Sequence, residues 1–229
     1  AIEVGDAVSQ ARIYEAQLAD ELVVLNIDGN PIGGDDMMLD LIERLASETF
    51  MPLAVGGGVL SADDFGELLE RGADKVIVNA AALDNPSLIT EAAGRYGAQC
   101  VVVSVDFRMQ DRQAMVMKGR AATPTGRIAL AWAREAVARG AGEIMLTDAD
   151  RDGSGQGLNI AVAREIADAI PVPLVLSGGC GLAGHFVSGF LDAHAEGVAA
   201  GTFFCFRDQN PMQTRAHIRN AGVPIRMET

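Results

Sequence analysis

The strongest constraint on the fold is a near repetition. The run Pro52-Leu53-Ala54-Val55-Gly56-Gly57-Gly58 returns as Pro173-Leu174-Val175-Leu176-Ser177-Gly178-Gly179, 121 positions later, and Phe65 and Phe186 keep that spacing. Upstream, Glu21 to Asp28 resembles Glu143 to Asp150 at a spacing of 122. In both copies an apolar run ends in small residues and leads into an amphipathic helical stretch. A chain that repeats itself in this way is built from two like halves.

Strands are expected over 22–27, 51–55, 74–78, 100–106, 143–147, 172–176 and 197–201. Each run is apolar without polar alternation, the pattern of a strand covered on both faces. Helical patterns lie between them, near 6–18, 36–49, 61–71, 86–96, 128–139, 159–169, 183–194 and 211–221. Ser61 suits an N-cap, Asn85-Pro86 suits a cap followed by a first-turn proline, and Gly72 and Gly140 suit left-handed helix ends. Alternation of strand and helix implies a parallel sheet with right-handed crossovers, either a closed barrel or a doubly wound sheet. No G-x-G-x-x-G follows the first strand, and two half-barrels of four β/α units account for the repeat. The expected fold is therefore an α/β (β/α)8 TIM barrel with an internal half-barrel duplication. It is expected to form a single domain over 1–229, with halves at about 1–98 and 99–229. Only seven strand runs can be counted, and Gly5-Asp6-Ala7-Val8 already opens a helix. An eighth strand is expected to precede that helix and to be absent from this sequence. Without it a parallel barrel has an open edge.

In such a barrel the chemistry lies at the carboxyl ends of the strands. Both glycine hooks, Gly56-Gly57-Gly58 and Ser177-Gly178-Gly179, fall there. Glycine lets backbone N–H groups approach a phosphate closely. The neighbouring strand ends, Asn79-Ala80 and Gly201-Thr202, would complete two phosphate sites and so hold a ligand phosphorylated at both ends. A tight βα turn alone would account for one such hook; two at repeat-equivalent positions, each beside a small or polar strand end, favour phosphate binding. Asp106 ends the apolar run Val101-Val102-Val103-Ser104-Val105, where partial desolvation would raise its pKa for acid–base work. Asp148, Asp150, Asp152 and Gly153 match the start of an EF-hand loop. Asn159 at its twelfth position and a leading strand argue against calcium and for a loop closing over substrate. At the opposite face, Glu21, Asp74, Lys75 and Glu143 read from residue type alone as a surface ion-pair layer.

A formal net charge of −13 argues against nucleic acid and anionic membrane surfaces as partners. No apolar run is long enough to span a bilayer and no signal peptide opens the chain, so a soluble cytoplasmic protein is expected. Cys100, Cys180 and Cys205 lack C-x-x-C spacing, so neither a zinc site nor a disulfide framework is expected, and no metal or other cofactor is required.

Together Val55-Gly56-Gly57-Gly58, Arg71-Gly72-Ala73-Asp74-Lys75, Gly140-Ala141-Gly142-Glu143-Ile144, Asp150-Arg151-Asp152-Gly153 and Ser177-Gly178-Gly179 resemble the HisF family, the cyclase subunit of imidazole glycerol phosphate synthase. The resemblance covers nearly the whole chain. It implies a glutaminase partner (HisH-like) that releases ammonia into the barrel. It also implies a phosphorylated substrate, a ribulosyl-formimino carboxamide ribonucleotide, gripped through Gly57, Gly58, Asn79, Ala80, Ser177, Gly178, Gly179, Gly201 and Thr202. Asp106 matches one of two catalytic aspartates, and Thr147 and Asp152 match polar active-site positions. Glu21, Lys75 and Glu143 match the ammonia gate, and Asp74 matches a glutaminase contact. The second catalytic aspartate, an active-site lysine and the gate arginine belong by resemblance to the preceding strand. Three positions depart from the family pattern: Asn26 stands for an aspartate, Ala80 for a threonine and Gly201 for a serine. The tail Phe206-Arg207-Asp208-Gln209-Asn210-Pro211 is closer to paralogs of surface-polysaccharide gene clusters. This leaves two alternatives, ammonia delivery for nucleotide-sugar amidation or a catalytically silent conduit.

Overall fold

A computed structural model of the chain describes residues 5–34 and 36–226; the ends of the single-domain reading, 1–4 and 227–229, and residue 35 lie outside the described residues. Seven parallel strands form one sheet in the order β1 (Leu22–Leu25), β2 (Leu53–Gly56), β3 (Lys75–Val78), β4 (Val101–Gln110), β7 (Glu143–Asp148), β8 (Leu174–Ser177) and β9 (Gly197–Val198). Strands β5 (Gln113–Lys118) and β6 (Thr123–Ile128) form an antiparallel hairpin that extends β4 beyond the sheet. The helices are α1 (Ala7–Ala16), α2 (Asp36–Glu48), α3 (Ala62–Glu70), α4 (Ala80–Asp84), α5 (Ser87–Tyr96), α6 (Ala129–Ala138), α7 (Ile160–Ala167), α8 (Ala183–Leu191), α9 (Thr202–Phe206) and α10 (Pro211–Asn220).

The seven parallel strands stand where the sequence places them. The hairpin and the short helices α4 and α9 are additions to the expected pattern. Asp111 and Arg112 take φ of +49° and +66°, so the hairpin turns on two left-handed residues. Helix α3 follows local rules closely. Ser61 caps it and Asp64 returns the bond to the Ser61 N–H at 3.0 Å, a reciprocal box. Phe65 and Leu68 then face the sheet, wholly buried. Helix α5 corrects one expectation: Asn85 makes no side-chain cap, because its Oδ1 accepts from the Ser87 hydroxyl at 2.6 Å.

The two ends of the strand path are β1 and β9, and contacts in the helical layer join the segments that flank them. Tyr14 of α1 packs edge-on against Phe204 of α9, 6.3 Å between centroids, and its hydroxyl lies 3.4 Å from Cys205 Sγ. Arg215 of α10 holds Asp20, just before β1, at 2.5 Å. The sheet is thus curled into a barrel whose seam lies between β1 and β9.

Strand parity sorts the core into two shells. Val23, Ala54, Ile77, Val102, Met145 and Ala199 pack together inside the ring. Their alternates, including Leu53, Val55, Val76, Val78, Val101, Val103, Ile144, Leu146, Leu174 and Leu176, join the larger cluster between sheet and helices. Among the described residues no helix is long and apolar enough to cross a membrane.

Candidate active site at the carboxyl ends of the strands

Residues of inward parity line the barrel from end to end. At the amino ends of the strands Lys75 Nζ donates to Glu21 Oε2 at 2.7 Å and to Glu143 Oε2 at 2.8 Å. Burial pulls the Lys75 pKa down, but the two carboxylates outweigh it and hold the ammonium above its ordinary value. Burial raises the Glu21 carboxyl, with Lys75 opposing. Asp74 serves differently: its Oδ2 accepts the Leu53 N–H at 2.8 Å and so pins the start of β2.

At the carboxyl ends, register aligns Asp106 with Thr147, and Thr147 with Ser177. Asp106 is held on both oxygens. Asn79 Nδ2 donates to Oδ2 at 2.9 Å and the Ser104 hydroxyl to Oδ1 at 3.0 Å. Burial pushes its pKa above the usual carboxylate value, and the nearby Asp152 charge adds to that push. Ser104 escaped the sequence reading. Its signal was its i,i+2 spacing from Asp106, which puts both side chains on one face of the strand. Among the described residues the Asn79 Oδ1 is buried without a partner, and the amide is fixed through its bond to Asp106.

The hooks are duplicated in detail. Gly57 and Gly58 take φ of +90° and +77°, and Gly178 and Gly179 take +85° and +115°. A Cβ on Gly57 would collide with the Asn26 carbonyl, and one on Gly178 would lie 2.5 Å from the Asp148 carbonyl. Each hook is therefore braced by the backbone at the end of the preceding strand in the sheet. Asn26 and Asp148 stand at equivalent places in the repeat and make the same local turn. Asn26 Oδ1 accepts from the Asp28 N–H and Asp148 Oδ1 from the Asp150 N–H, both at 3.0 Å. Asn79 and Gly201 precede α4 and α9, so Ala80 and Thr202 begin those helices beside the hooks. Asp152, on the loop after β7, has its N–H on the Asp148 carbonyl at 2.9 Å.

The site residues named from sequence thus form two groups at opposite ends of one barrel, with the small apolar inner ring between them. The acidic EF-hand-like run leaves the end of β7 as a loop, and its first carboxylate, Asp148, is buried and taken up by hydrogen bonds within the protein.

The family described as histidine biosynthesis protein matches residues 1–210. The chain is 48% identical over 226 residues to the imidazole glycerol phosphate synthase subunit hisF2 of Prochlorococcus marinus (strain MIT 9313), covering 98% of this chain and 86% of that one. It is 42% identical over 228 residues to the imidazole glycerol phosphate synthase subunit HisF of Anoxybacillus flavithermus (strain DSM 21510 / WK1), covering 98% and 89%. The chain belongs to the histidine biosynthesis protein family, in its HisF group.

Proposed function

We propose that this protein is the cyclase subunit of imidazole glycerol phosphate synthase, using ammonia to convert a ribulosyl-formimino carboxamide ribonucleotide to imidazole glycerol phosphate and an aminoimidazole carboxamide ribonucleotide. The observation that carries this reading is Asp106. It is a buried, pKa-raised carboxylate, fixed by Asn79 and Ser104 between two hooks of equivalent geometry. Gly57, Gly58, Asn79 and Ala80 form one phosphate site; Ser177, Gly178, Gly179, Gly201 and Thr202 form the other. Thr147 and Asp152 complete the polar wall. Asp106 then moves protons at the carbon framework between the phosphates while ammonia attacks the ketone.

The partner is a glutaminase subunit docked at the amino ends of the strands, with Lys75, Glu21 and Glu143 as gate and Asp74 beside them. Support comes from the inward parity of the Lys75 cluster and from Phe50, which is 100% exposed just before β2 on that face. Such a side chain is a ready anchor for an interface. The two half-barrels and a single cytoplasmic domain belong to the same reading, and the equivalent turns at Asn26 and Asp148 support the duplication.

The test is direct: full-length protein, the ribulosyl ribonucleotide and an ammonium salt, with product separated by chromatography. Imidazole glycerol phosphate should form, and Asp106→Asn should abolish it. No product from the unmutated protein at high ammonia would instead favour ammonia delivery for sugar amidation, or a silent conduit. Ala80 and Gly201 beside the hooks leave room for a different phosphorylated ligand in that case.

A further inference from the structure

Asp148 is the last residue of β7, and its parity points it away from the barrel interior, opposite to Thr147. Only 3% of it is exposed, yet it is surrounded by donors. Its Oδ1 accepts from the Asp150 N–H at 3.0 Å and the Arg151 N–H at 3.3 Å. Its Oδ2 accepts from Asn159 Nδ2 at 2.9 Å and pairs with Arg151 Nε at 3.5 Å. Arg151 Nη1 in turn donates to the carbonyls of Gly157 and Leu158, both at 3.1 Å. The Gly157 N–H closes the circuit on the Gly179 carbonyl at 2.7 Å. One carboxylate therefore ties the start of the 149–158 loop to its end, and the end to the second hook.

We propose that Asp148 is a positioning residue: its carboxylate locks the 149–158 loop against Ser177-Gly178-Gly179 and so keeps the second anion site formed before ligand arrives. This rests on the reading of the hooks as phosphate sites. The duplication supplies an internal control. Asn26, at the equivalent post beside the first hook, makes the same first hydrogen bond, but its loop is exposed over residues 27–31. In the first half the Ile32 N–H meets the Gly58 carbonyl at 3.2 Å, whereas in the second the loop is also held by a buried carboxylate. An acceptor-only carboxylate is needed, since an amide at 148 would set its own N–H group against the donors of Asn159 and Arg151. The partner, Asn159, also caps α7 through Oδ1, which accepts from the Val162 N–H at 3.4 Å.

The probes are inorganic phosphate, followed by titration calorimetry, and amide hydrogen exchange without ligand. In Asp148→Ala, the Arg151 and Gly157 amides should lose protection, and phosphate should bind roughly tenfold more weakly at one site while the other is unchanged. Asp148→Asn should do the same, and adding Asn159→Asp should restore both readouts by exchanging donor and acceptor across the pair. That rescue keeps the test available if the alanine variant fails to fold. A role in general stability would weaken both sites alike and would not be rescued. Unchanged exchange, or wild-type phosphate affinity at both sites in Asp148→Asn, overturns the lock. No phosphate uptake by the wild-type protein overturns the hook reading itself, and the anion role of Asp148 with it.

Discussion

Replacing Gly178 by alanine adds a single methyl group, and the structure says where it would go. The residue sits at φ +85°, and its Cβ would meet the Asp148 carbonyl oxygen at 2.5 Å and the Asp148 nitrogen at 3.1 Å. The left-handed backbone costs a non-glycine residue about 1–2 kcal/mol. The overlap adds about 1–3 kcal/mol, because the obstacle is backbone at the end of β7 and cannot swing aside. Together these lower stability by about 2–5 kcal/mol, or a Tm fall of roughly 5–15 °C for a chain of this size. Gly184 is the control. It lies in α8 with nothing within 4 Å of its would-be Cβ. There the same methyl should stabilise by about 0.5–1 kcal/mol, since alanine loses less freedom in a helix than glycine. Trp132, the chain's one tryptophan, is buried beneath the Arg127 guanidinium at 4.8 Å and reports unfolding by fluorescence. If Gly178→Ala melts with the wild type, or both variants shift the same way, the bracing of the hook by Asp148 is refuted.

Three other outcomes follow from the same geometry. Burial raises the Asp106 carboxyl, so the acid limb of the kcat/KM profile should fall above its ordinary pKa of 3.8. The accompanying stability is fully present below the unfolded pKa and is lost as pH rises through the folded one; Asp106→Asn should remove that slope in denaturant titrations. Lys75→Met leaves Glu21 and Glu143 facing each other without their cation and should cost about 1–3 kcal/mol at neutral pH, less in acid where the carboxylates protonate. Because the Lys75 pKa is raised, the wild type should lose that contribution only as pH climbs past the ordinary lysine value of 10.5, a loss the methionine variant lacks. Ser61→Ala removes one half of the α3 capping box and should cost about 1 kcal/mol by chemical denaturation.

Much of the barrel is legible in the sequence because buried parallel strands announce themselves as unbroken apolar runs. The repeat, at spacings of 121 and 122 residues, also carries real geometry, down to matching turns at Asn26 and Asp148. The hairpin β5–β6 is hidden for physical reasons. Its turn is Asp111-Arg112 rather than a glycine pair, and Pro124 and Gly126 make its second strand look like a loop. Asp106 is found from sequence because an acid ending an apolar strand is conspicuous. Its supports are less so: Ser104 shows only as the i,i+2 neighbour on the same face of β4, and Asn79 meets the carboxylate only once β3 pairs with β4. Asp148 is hidden by its neighbours: Asp148, Asp150 and Asp152 are spaced alike in the sequence, and only the end of β7 at Asp148 separates the buried carboxylate from those on the loop.

The seam between β1 and β9 also bears on how the molecule is assembled. Tyr14 meets Cys205 across 191 positions of chain, and Asp20 meets Arg215 across 195. Closing loops of that length costs most entropy while the chain between is unstructured, so these contacts are expected to form late. Contacts made that late are absent from the folding transition state. They govern how fast the barrel comes apart more than how fast it forms. Weakening Tyr14 or Arg215 should therefore shorten the lifetime of the native state while leaving the refolding rate nearly unchanged.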